Sequence, residues 1–250
     1  ALPICIVAQY ATEKHGWQVV VENRAGASGL VGIMAAKSAP PDGYTLVVTS
    51  SSTHGSAPAL KSTLPYDPYK DLASIALFAD AFLVALVRKD IPARTIADLV
   101  GLIRAKPGTL NYASGGYASQ HHLATAMMLQ RSGLPQDAAK HVPFQGLAPA
   151  LNALVAGHVE FMITTTGAAT QFIEKGDLRP LAITAAARSK RFPDTPTMAE
   201  QGFPGYQVVA WCGLAAPAGT PEAMTARWNA MVNEALADPG VAQKIANQDY

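Results

Sequence analysis

The chain has 250 residues, of which 49% are hydrophobic and 15% are charged, and its formal net charge is +1. A chain of this length and composition buries a substantial hydrophobic core, which excludes a disordered protein. The near-neutral charge and the lack of a long Lys/Arg run argue against a nucleic-acid binder, whose surface usually carries a broad basic face. No apolar run approaches the roughly 18 residues that predict a membrane-spanning helix.

The segment from Val20 to Thr53 is the most informative part of the chain. It contains an apolar strand, a glycine-rich turn, a helix of small residues, a Pro-Asp-Gly turn and a second strand, which together predict a βαβ unit. The turn Gly26–Gly29 has little side chain, so its backbone N–H groups can approach a ligand. The helix that follows presents its positive end to an anion. This segment therefore predicts a site for a small anion.

Apolar and helical periodicity divide the whole chain into alternating strands and helices. The predicted strands are Gln18–Val21, Thr45–Thr49, Ser74–Phe78, Leu83–Val87, Leu110–Ala113, Ala139–Val142, Phe161–Thr164, Leu181–Thr184 and Val208–Leu214. The predicted helices are Leu30–Ser38, Ile96–Ala105, Ser119–Ser132, Ala148–Ala156, Ala168–Glu174, Thr197–Gln201 and Pro221–Ala237. This alternation predicts an α/β protein with open, largely parallel sheets.

Five loops that follow predicted strands consist of small, neutral residues that can form hydrogen bonds. These loops are Gly26–Gly29, Ser50–Thr53, Ala113–Gly116 with Ser119, Gln145–Gly146 with Ala148, and Thr164–Gly167. Ligands of open α/β sheets bind beyond the carboxyl ends of the strands. A single loop of this kind is more simply a turn or a helix cap. Five of them at one sheet edge favour a ligand site made of backbone N–H groups, hydroxyls and water.

The sequence offers weak candidates for catalysis. Ser51 or Ser52 with His54 is the best pair of nucleophile and base, but the Gly-x-Ser-x-Gly turn of many hydrolases is missing. His121 and His122 are consecutive, so on a helix they point about 100° apart and chelate one ion poorly; a surface or capping role is favoured. We therefore predict no catalytic residue, metal or cofactor, with a hydrolase kept as an alternative.

The two cysteines allow two interpretations. Cys5 and Cys212 can form a disulfide in an oxidising compartment, or Cys212 is a lone thiol beside Trp211 in an apolar segment. The second interpretation predicts a buried and inert thiol.

Several motifs of the sequence follow one another in a recognisable order. They are VVVENRAGASGLVG, PPDGYTL, LPYDPYKDL, KPGTLNYASGG, HVPFQGLAPALNALVAGHVEFM, LRPLAITAAARSKRFPDTPTMAEQGFPGYQVVAWCGLAAPAGTP and NEALADP. In this order, over most of the chain, they resemble the substrate-binding receptors of tripartite tricarboxylate transporters, called Bug or TctC-like proteins. The resemblance implies a two-lobed periplasmic binding protein fold of type II, with a three-layer α/β sandwich in each lobe. Residues 1–87 and 213–250 are expected in lobe 1 and residues 88–207 in lobe 2, with crossings at 82–90 and 206–215.

The same resemblance implies a function. A periplasmic receptor closes its lobes on a small organic carboxylate and delivers it to membrane transporter subunits, as a monomer and without nucleic acid. A receptor that presents the closed form to a signalling partner is the alternative. Matched residue by residue, the resemblance implies ligand contacts from twelve positions: Gly26, Ser28, Ser50, Ser51, Thr53, Ser114, Gly115, Ser119, Gly146, Ala148, Thr164 and Thr165.

Two departures from the family pattern give further expectations. Many members place an Asp, and often an Asn, where this chain has Thr164–Thr166, so an organic acid is favoured over an amino acid with its ammonium group. The family also places a strand and a Pro/Gly-rich loop before the first helix, and a strand and a long helix after the last residues seen here. The chain is therefore expected to be an internal fragment that has lost its signal peptide, with Ala1–Cys5 not native.

Overall fold

The structure is a computed structural model, which describes residues 3–60 and 63–247. Its helices are α1 (Pro3–His15), α2 (Leu30–Lys37), α3 (Ala57–Leu60), α4 (Ile96–Ala105), α5 (Gln120–Arg131), α6 (Leu147–Ala156), α7 (Thr166–Glu174), α8 (Glu222–Ala237) and α9 (Pro239–Ala246). Its strands are β1 (Val47–Ser50), β2 (Leu72–Arg88), β3 (Asn111–Ser114), β4 (Lys140–Pro143), β5 (Phe161–Thr165), β6 (Leu178–Ile183) and β7 (Val209–Pro217). No helix within these residues is long and apolar enough to span a bilayer. The chain is thus a mixed α/β protein, as predicted.

The described residues form two compact units, each with its own core. The first contains residues 3–60, 63–80 and 211–247, and the second contains residues 81–210. In the first unit, β1 pairs antiparallel with β7, with Val47 opposite Ala215. Helices α1, α8 and α9 pack together, and Val7, Phe78 and Met231 are buried in their shared core. The predicted lobe boundaries and crossings stay predictions.

The predicted strand Gln18–Val21 is wrong. Its side chains alternate between half-buried and exposed, with Val20 89% exposed, but the segment has no partner strand among the described residues. Val19 and Val47 both line a cavity of ≈ 890 Å³ in the first unit. A strand requires a hydrogen-bonded neighbour, which side-chain alternation alone does not supply.

The second unit contains a mixed sheet in which β3 is the central parallel strand. It pairs in parallel with β4 on one side and with β5 on the other. Strand β2 pairs antiparallel with β5 and with β6. The spatial order of the strands is therefore β6, β2, β5, β3, β4. The carboxyl ends of β3, β4 and β5 lie at one edge of this sheet.

The connections of this sheet place helices on both of its faces. The chain passes from β3 through α5 to β4 in one direction, and then through α6 to β5 and α7 to β6 in the other. Because such crossovers are right-handed, a reversal of direction moves the helices to the opposite face. Leu151 and Leu154 of α6 and Phe172 of α7 accordingly pack in one core with Leu86 and Met162 of the sheet. The second unit is therefore a three-layer sandwich.

Six of the seven predicted helices are confirmed within two residues, and the short helix α3 was not predicted. The Thr197–Gln201 segment contains only a short 3₁₀ turn, Ala199–Gln201. Helix α9 was not predicted, although Asp238 caps it by accepting hydrogen bonds from the N–H groups of Gly240 and Val241. Its eight residues offer too few turns for a clear helical period.

Candidate ligand-binding site

Seven of the twelve predicted site residues lie at one edge of the sheet in the second unit. Ser114, Gly115 and Ser119 belong to the connection from β3 to α5, which we call the 114–119 loop. Gly146 and Ala148 lie where α6 begins, and Thr164 and Thr165 end β5. Because α5 and α7 lie on opposite faces of the sheet, the ends of β3 and β5 flank a crevice, which is the usual ligand position in open α/β sheets.

The serine hydroxyls of the 114–119 loop form hydrogen bonds within the protein. Ser114 Oγ accepts a hydrogen bond from the N–H of Gly116 (3.1 Å) and lies 2.6 Å from Nε2 of His141. Ser119 is the N-cap of α5, and its hydroxyl accepts from the N–H of His122. Both serine side chains are buried. The predicted ligand contacts of Ser114 and Ser119 stay predictions.

Gly115 is closely surrounded by neighbouring residues. A Cβ atom placed on Gly115 is 3.3 Å from Cδ2 of Leu147, 3.6 Å from Nδ1 of His121 and 3.7 Å from the carbonyl carbon of Gly146. The loop after β3 thus approaches the N-termini of both α5 and α6. The absence of a side chain at position 115 permits this approach.

Three buried polar atoms near this edge have no hydrogen-bond partner among the described residues. They are Oγ1 of Thr164, Oγ1 of Thr165 and Nδ1 of His121. Burial lowers the pKa of His121 to about 4, so its ring is neutral at physiological pH. His121 is 6% exposed, which shows that the predicted surface role is wrong for this residue. Polar atoms of this kind tend to acquire a water or ligand partner, since an unpaired buried polar group is destabilising.

The other five predicted residues lie in the first unit, in two loops that touch each other. A Cβ atom on Gly29, beside Gly26 and Ser28, is 2.9 Å from Cγ2 of Thr53. Ser50 and Thr53 form a reciprocal cap, in which each side chain accepts a hydrogen bond from the other residue's backbone N–H. This cap begins a π-helical turn, Ser51–Ser56, that was not predicted. The hydroxyls of Ser50 and Thr53, like those of Ser114 and Ser119, thus form hydrogen bonds within the protein.

The Gly26–Gly29 loop has an unusual backbone. Gly26, Ala27, Ser28 and Gly29 all have positive φ angles, with Ala27 at 45° and Ser28 at 58°. Positive φ in a non-glycine residue costs about 1 kcal/mol or more, and such strain is concentrated at binding sites. The strain supports a binding role for this loop, although the strand predicted in front of it is absent.

The hydrolase alternative finds no support in the contacts of His54. Nδ1 of His54 lies 3.0 Å from Oγ1 of Thr53, and the hydroxyl of Thr53 is part of the cap described above. Burial lowers the pKa of His54, which weakens it as a base.

Cys212 is half-buried, and burial raises the pKa of its thiol to about 11, so it stays protonated. Cys5 and Cys212 are both free thiols. Within residues 3–60 and 63–247, no cluster of three or more His, Cys, Asp or Glu side chains could hold a metal.

Sequence reasoning missed two histidines that support the 114–119 loop. His122 and His141 stack with ring centroids 4.1 Å apart, and His141 also stacks on Tyr112 at 5.0 Å. Burial lowers the pKa of both histidines, that of His141 to about 4. This contact depends on the parallel register of β3 and β4, which places His141 opposite Tyr112, and the local sequence held no signal for it.

The chemistry of the second-unit edge suits an anion without a fixed cation. The residues predicted there carry no formal charge, and α5, α6 and α7 all begin at this edge. Helix N-termini present N–H groups and a partial positive charge of about half an elementary charge, which favours carboxylates and phosphates.

Comparison with known proteins relates nearly the whole chain to one family of receptors. Residues 4–250 match the family model described as tripartite tricarboxylate transporter family receptor. A UPF0065 protein in the tcbD-tcbE intergenic region of Pseudomonas sp. is 36% identical over 241 residues, which are 96% of this chain and 70% of that protein.

Two solved structures from Rhodopseudomonas palustris have the same fold. MatC with bound malate has a TM-score of 0.92 and 32% identity, covering 99% of this chain and 83% of that one. Rpa4515 with adipate has a TM-score of 0.94 and 30% identity, covering 99% and 82%. These likenesses confirm the periplasmic binding protein fold and the expectation of a receptor instead of an enzyme. The chain therefore belongs to the tripartite tricarboxylate transporter receptor family, whose members are solute-binding receptors.

Proposed function

We propose that this protein is a periplasmic receptor that captures a small organic dicarboxylate and delivers it to the membrane subunits of a tripartite transporter. The observation that carries the proposal is the convergence of three helix N-termini on an uncharged sheet edge in the second unit. Backbone N–H groups of the 114–119 loop and the start of α6 bind one carboxylate there.

Two observations support a dicarboxylate as the ligand. MatC is described with malate and Rpa4515 with adipate, and both share about a third of their residues with this chain. The Thr164–Thr166 segment at the end of β5 supplies hydroxyls and no carboxylate. An amino acid carries an ammonium group that needs an anionic partner when it is desolvated, so an amino acid is disfavoured.

A thermal-shift screen with malate, adipate, citrate, benzoate, aspartate and glutamate tests the ligand class. A ligand at one hundred times its dissociation constant stabilises the folded state by about 2.7 kcal/mol. For a protein of this size, that corresponds to a rise of the melting temperature by roughly 5–10 °C. We expect this rise with malate or adipate and a smaller one with the amino acids. A larger rise with aspartate or glutamate contradicts the assignment, and no rise with any acid contradicts the carboxylate site.

Delivery is tested separately from binding. Vesicles that contain the membrane subunits of the transporter are expected to take up labelled dicarboxylate only when this receptor is added on the periplasmic side. Tight binding without receptor-dependent uptake favours the alternative of a receptor for a signalling partner.

A further inference from the structure

Two histidines pack face to face behind the 114–119 loop. His122 comes from the first turn of α5 and His141 from β4, and their rings are nearly parallel, with an interplanar angle of 16°. We infer that His122 and His141 are positioning residues, which hold the 114–119 loop in the shape that the ligand requires. The inference rests on the proposed function for the ligand, but the loop's dependence on the histidines can be measured without one.

Each histidine ring nitrogen that faces the loop is bonded to one end of it. Nδ1 of His122 accepts a hydrogen bond from the backbone N–H of Ala118 at 3.2 Å. Nε2 of His141 lies 2.6 Å from Oγ of Ser114. Ser114 Oγ in turn accepts from the N–H of Gly116, so the contact with His141 fixes the middle of the loop as well. The stacked pair therefore clamps the first and the fifth residue of the loop.

The loop needs such a clamp because its backbone is strained. Ala118 has a φ angle of 62°, in the left-handed region that a residue with a Cβ atom rarely adopts. Such a conformation persists when surrounding contacts enforce it. The hydrogen bond from Ala118 to His122 is a contact of this kind, and it involves the residue just before the cap of α5.

The hydrogen bond also defines the protonation state of His122. A backbone N–H can donate only to an unprotonated ring nitrogen, so Nδ1 of His122 carries no proton and the neutral ring is protonated on Nε2. A second proton on His122 would sit on Nδ1 and would place two donors, this N–H and the backbone N–H of Ala118, against each other. It would also place a positive charge against the ring of His141.

The groups that face the pair are aromatic rings and hydroxyls. Tyr112 of β3 stacks on His141, and the ring centroids of Tyr117 and His122 lie 5.1 Å apart. Oγ of Ser114 is hydrogen-bonded to Nε2 of His141. The neighbouring His121 of α5 is buried and neutral. Burial lowers the pKa of both histidines, and the charge that a protonated His122 would carry lowers the pKa of His141 further.

The sign of the pH effect follows from these pKa directions. The ordinary histidine pKa is 6.5, and in the folded protein it is lower for both rings and about 4 for His141. The folded state binds fewer protons than the unfolded state between these values. The stability that the neutral pair contributes is therefore fully present above about pH 6.5 and is lost as the pH falls toward about 4, where the ring of His141 becomes protonated in the folded protein.

Matched variants test the clamp by calorimetric titration with malate and adipate at neutral pH. His122→Leu and His141→Leu are each expected to weaken binding at least tenfold. His122→Asn keeps an acceptor at the position of Nδ1, and His141→Gln keeps a polar atom at the position of Nε2, so both are expected to remain within threefold of the unmodified protein. His158→Leu, at an exposed histidine in the turn after α6, is the control and should bind normally. Equal losses in the Leu variants and in the Asn and Gln variants would overturn the inference.

The pH profile gives a second readout. The unmodified protein should lose affinity as the pH falls toward about 4, where His141 becomes protonated in the folded protein. The double variant His122→Asn/His141→Gln should lose less, because only the ligand and the remaining groups titrate. The same ligand is used for both proteins, so its own protonation cancels. Identical profiles for the two proteins contradict the proposed role.

A ligand-free measurement separates this inference from the proposed function. In protein labelled with ¹⁵N-histidine, Nδ1 of His122 is expected to show the chemical shift of an unprotonated nitrogen at neutral pH. The amide of Ala118 should exchange at least tenfold faster in His122→Leu, but not in His122→Asn. If neither dicarboxylate binds the unmodified protein, the proposed function fails, and these two measurements still decide the clamp. A protonated Nδ1, or exchange unaffected by His122→Leu, overturns it.

Discussion

The Gly115→Val protein is expected to bind its dicarboxylate at least a hundredfold more weakly than the unmodified protein, a loss of about 2.7 kcal/mol. The reason is the crowding around Gly115, where a Cβ atom already lies 3.3 Å from Leu147, and the two methyl groups of valine extend further. The 114–119 loop must move away from the start of α6 to accept them. Titration calorimetry with malate and adipate measures the effect.

Gly101→Val in α4 is the matched control. A Cβ atom on Gly101 has no neighbour within 4 Å, so valine is expected to leave both binding and folding unchanged. Circular dichroism should show folded protein for both variants, because the change at Gly115 affects a loop. If the Gly115→Val protein is folded and binds with unchanged affinity, the 114–119 loop does not belong to the ligand site.

The second large effect concerns stability. Leu154→Ala in α6 is expected to lower the free energy of unfolding by about 2–5 kcal/mol, the usual range for a buried leucine replaced by alanine. Leu154 is completely buried and packs in the core formed by α6, α7 and the sheet of the second unit. Its removal leaves a cavity in the core that also contains Leu86 and Met162. Urea unfolding followed by circular dichroism measures the loss.

Val155, the next residue on the same helix, provides the control. It is 37% exposed, so Val155→Ala should change the free energy of unfolding by no more than about 0.5 kcal/mol. Similar unfolding midpoints for Leu154→Ala and Val155→Ala contradict the core that the structure assigns to α6. Since α6 also begins at the ligand site, the Leu154→Ala protein tests whether the site survives a weakened core.

The family resemblance identified the loops, but not how their side chains are used. The predicted residues Ser114 and Ser119 do lie at the sheet edge with Gly115, as the rule for strand ends requires. Their hydroxyls are bonded within the protein, to Gly116 and to the first turn of α5. The residue type indicates that a hydroxyl is available for hydrogen bonding. Only the fold determines whether a ligand or the protein itself uses it.

The contacts of the histidines also could not be predicted from residue type and spacing. His121 and His122 are adjacent in sequence, and the helical period indicates only that they point in different directions. His121 is buried with Nδ1 unpaired, whereas His122 stacks on His141, which lies 19 positions later in the sequence. That contact depends on the parallel register between β3 and β4, and local sequence carries no information about register across two strands.

The sequence by itself determined the fold class, the family and most helices, because hydrophobic periodicity and ordered motifs are local properties of the chain. Tertiary structure alone decided which extended segments became strands. Gln18–Val21 has the alternation of a strand and lacks a partner, while two predicted strands joined into the single strand β2. It also decided that Gly115 is crowded and that His122 and His141 clamp a loop. Each of these properties depends on contacts between residues distant in sequence, and such contacts exist only once the chain is folded.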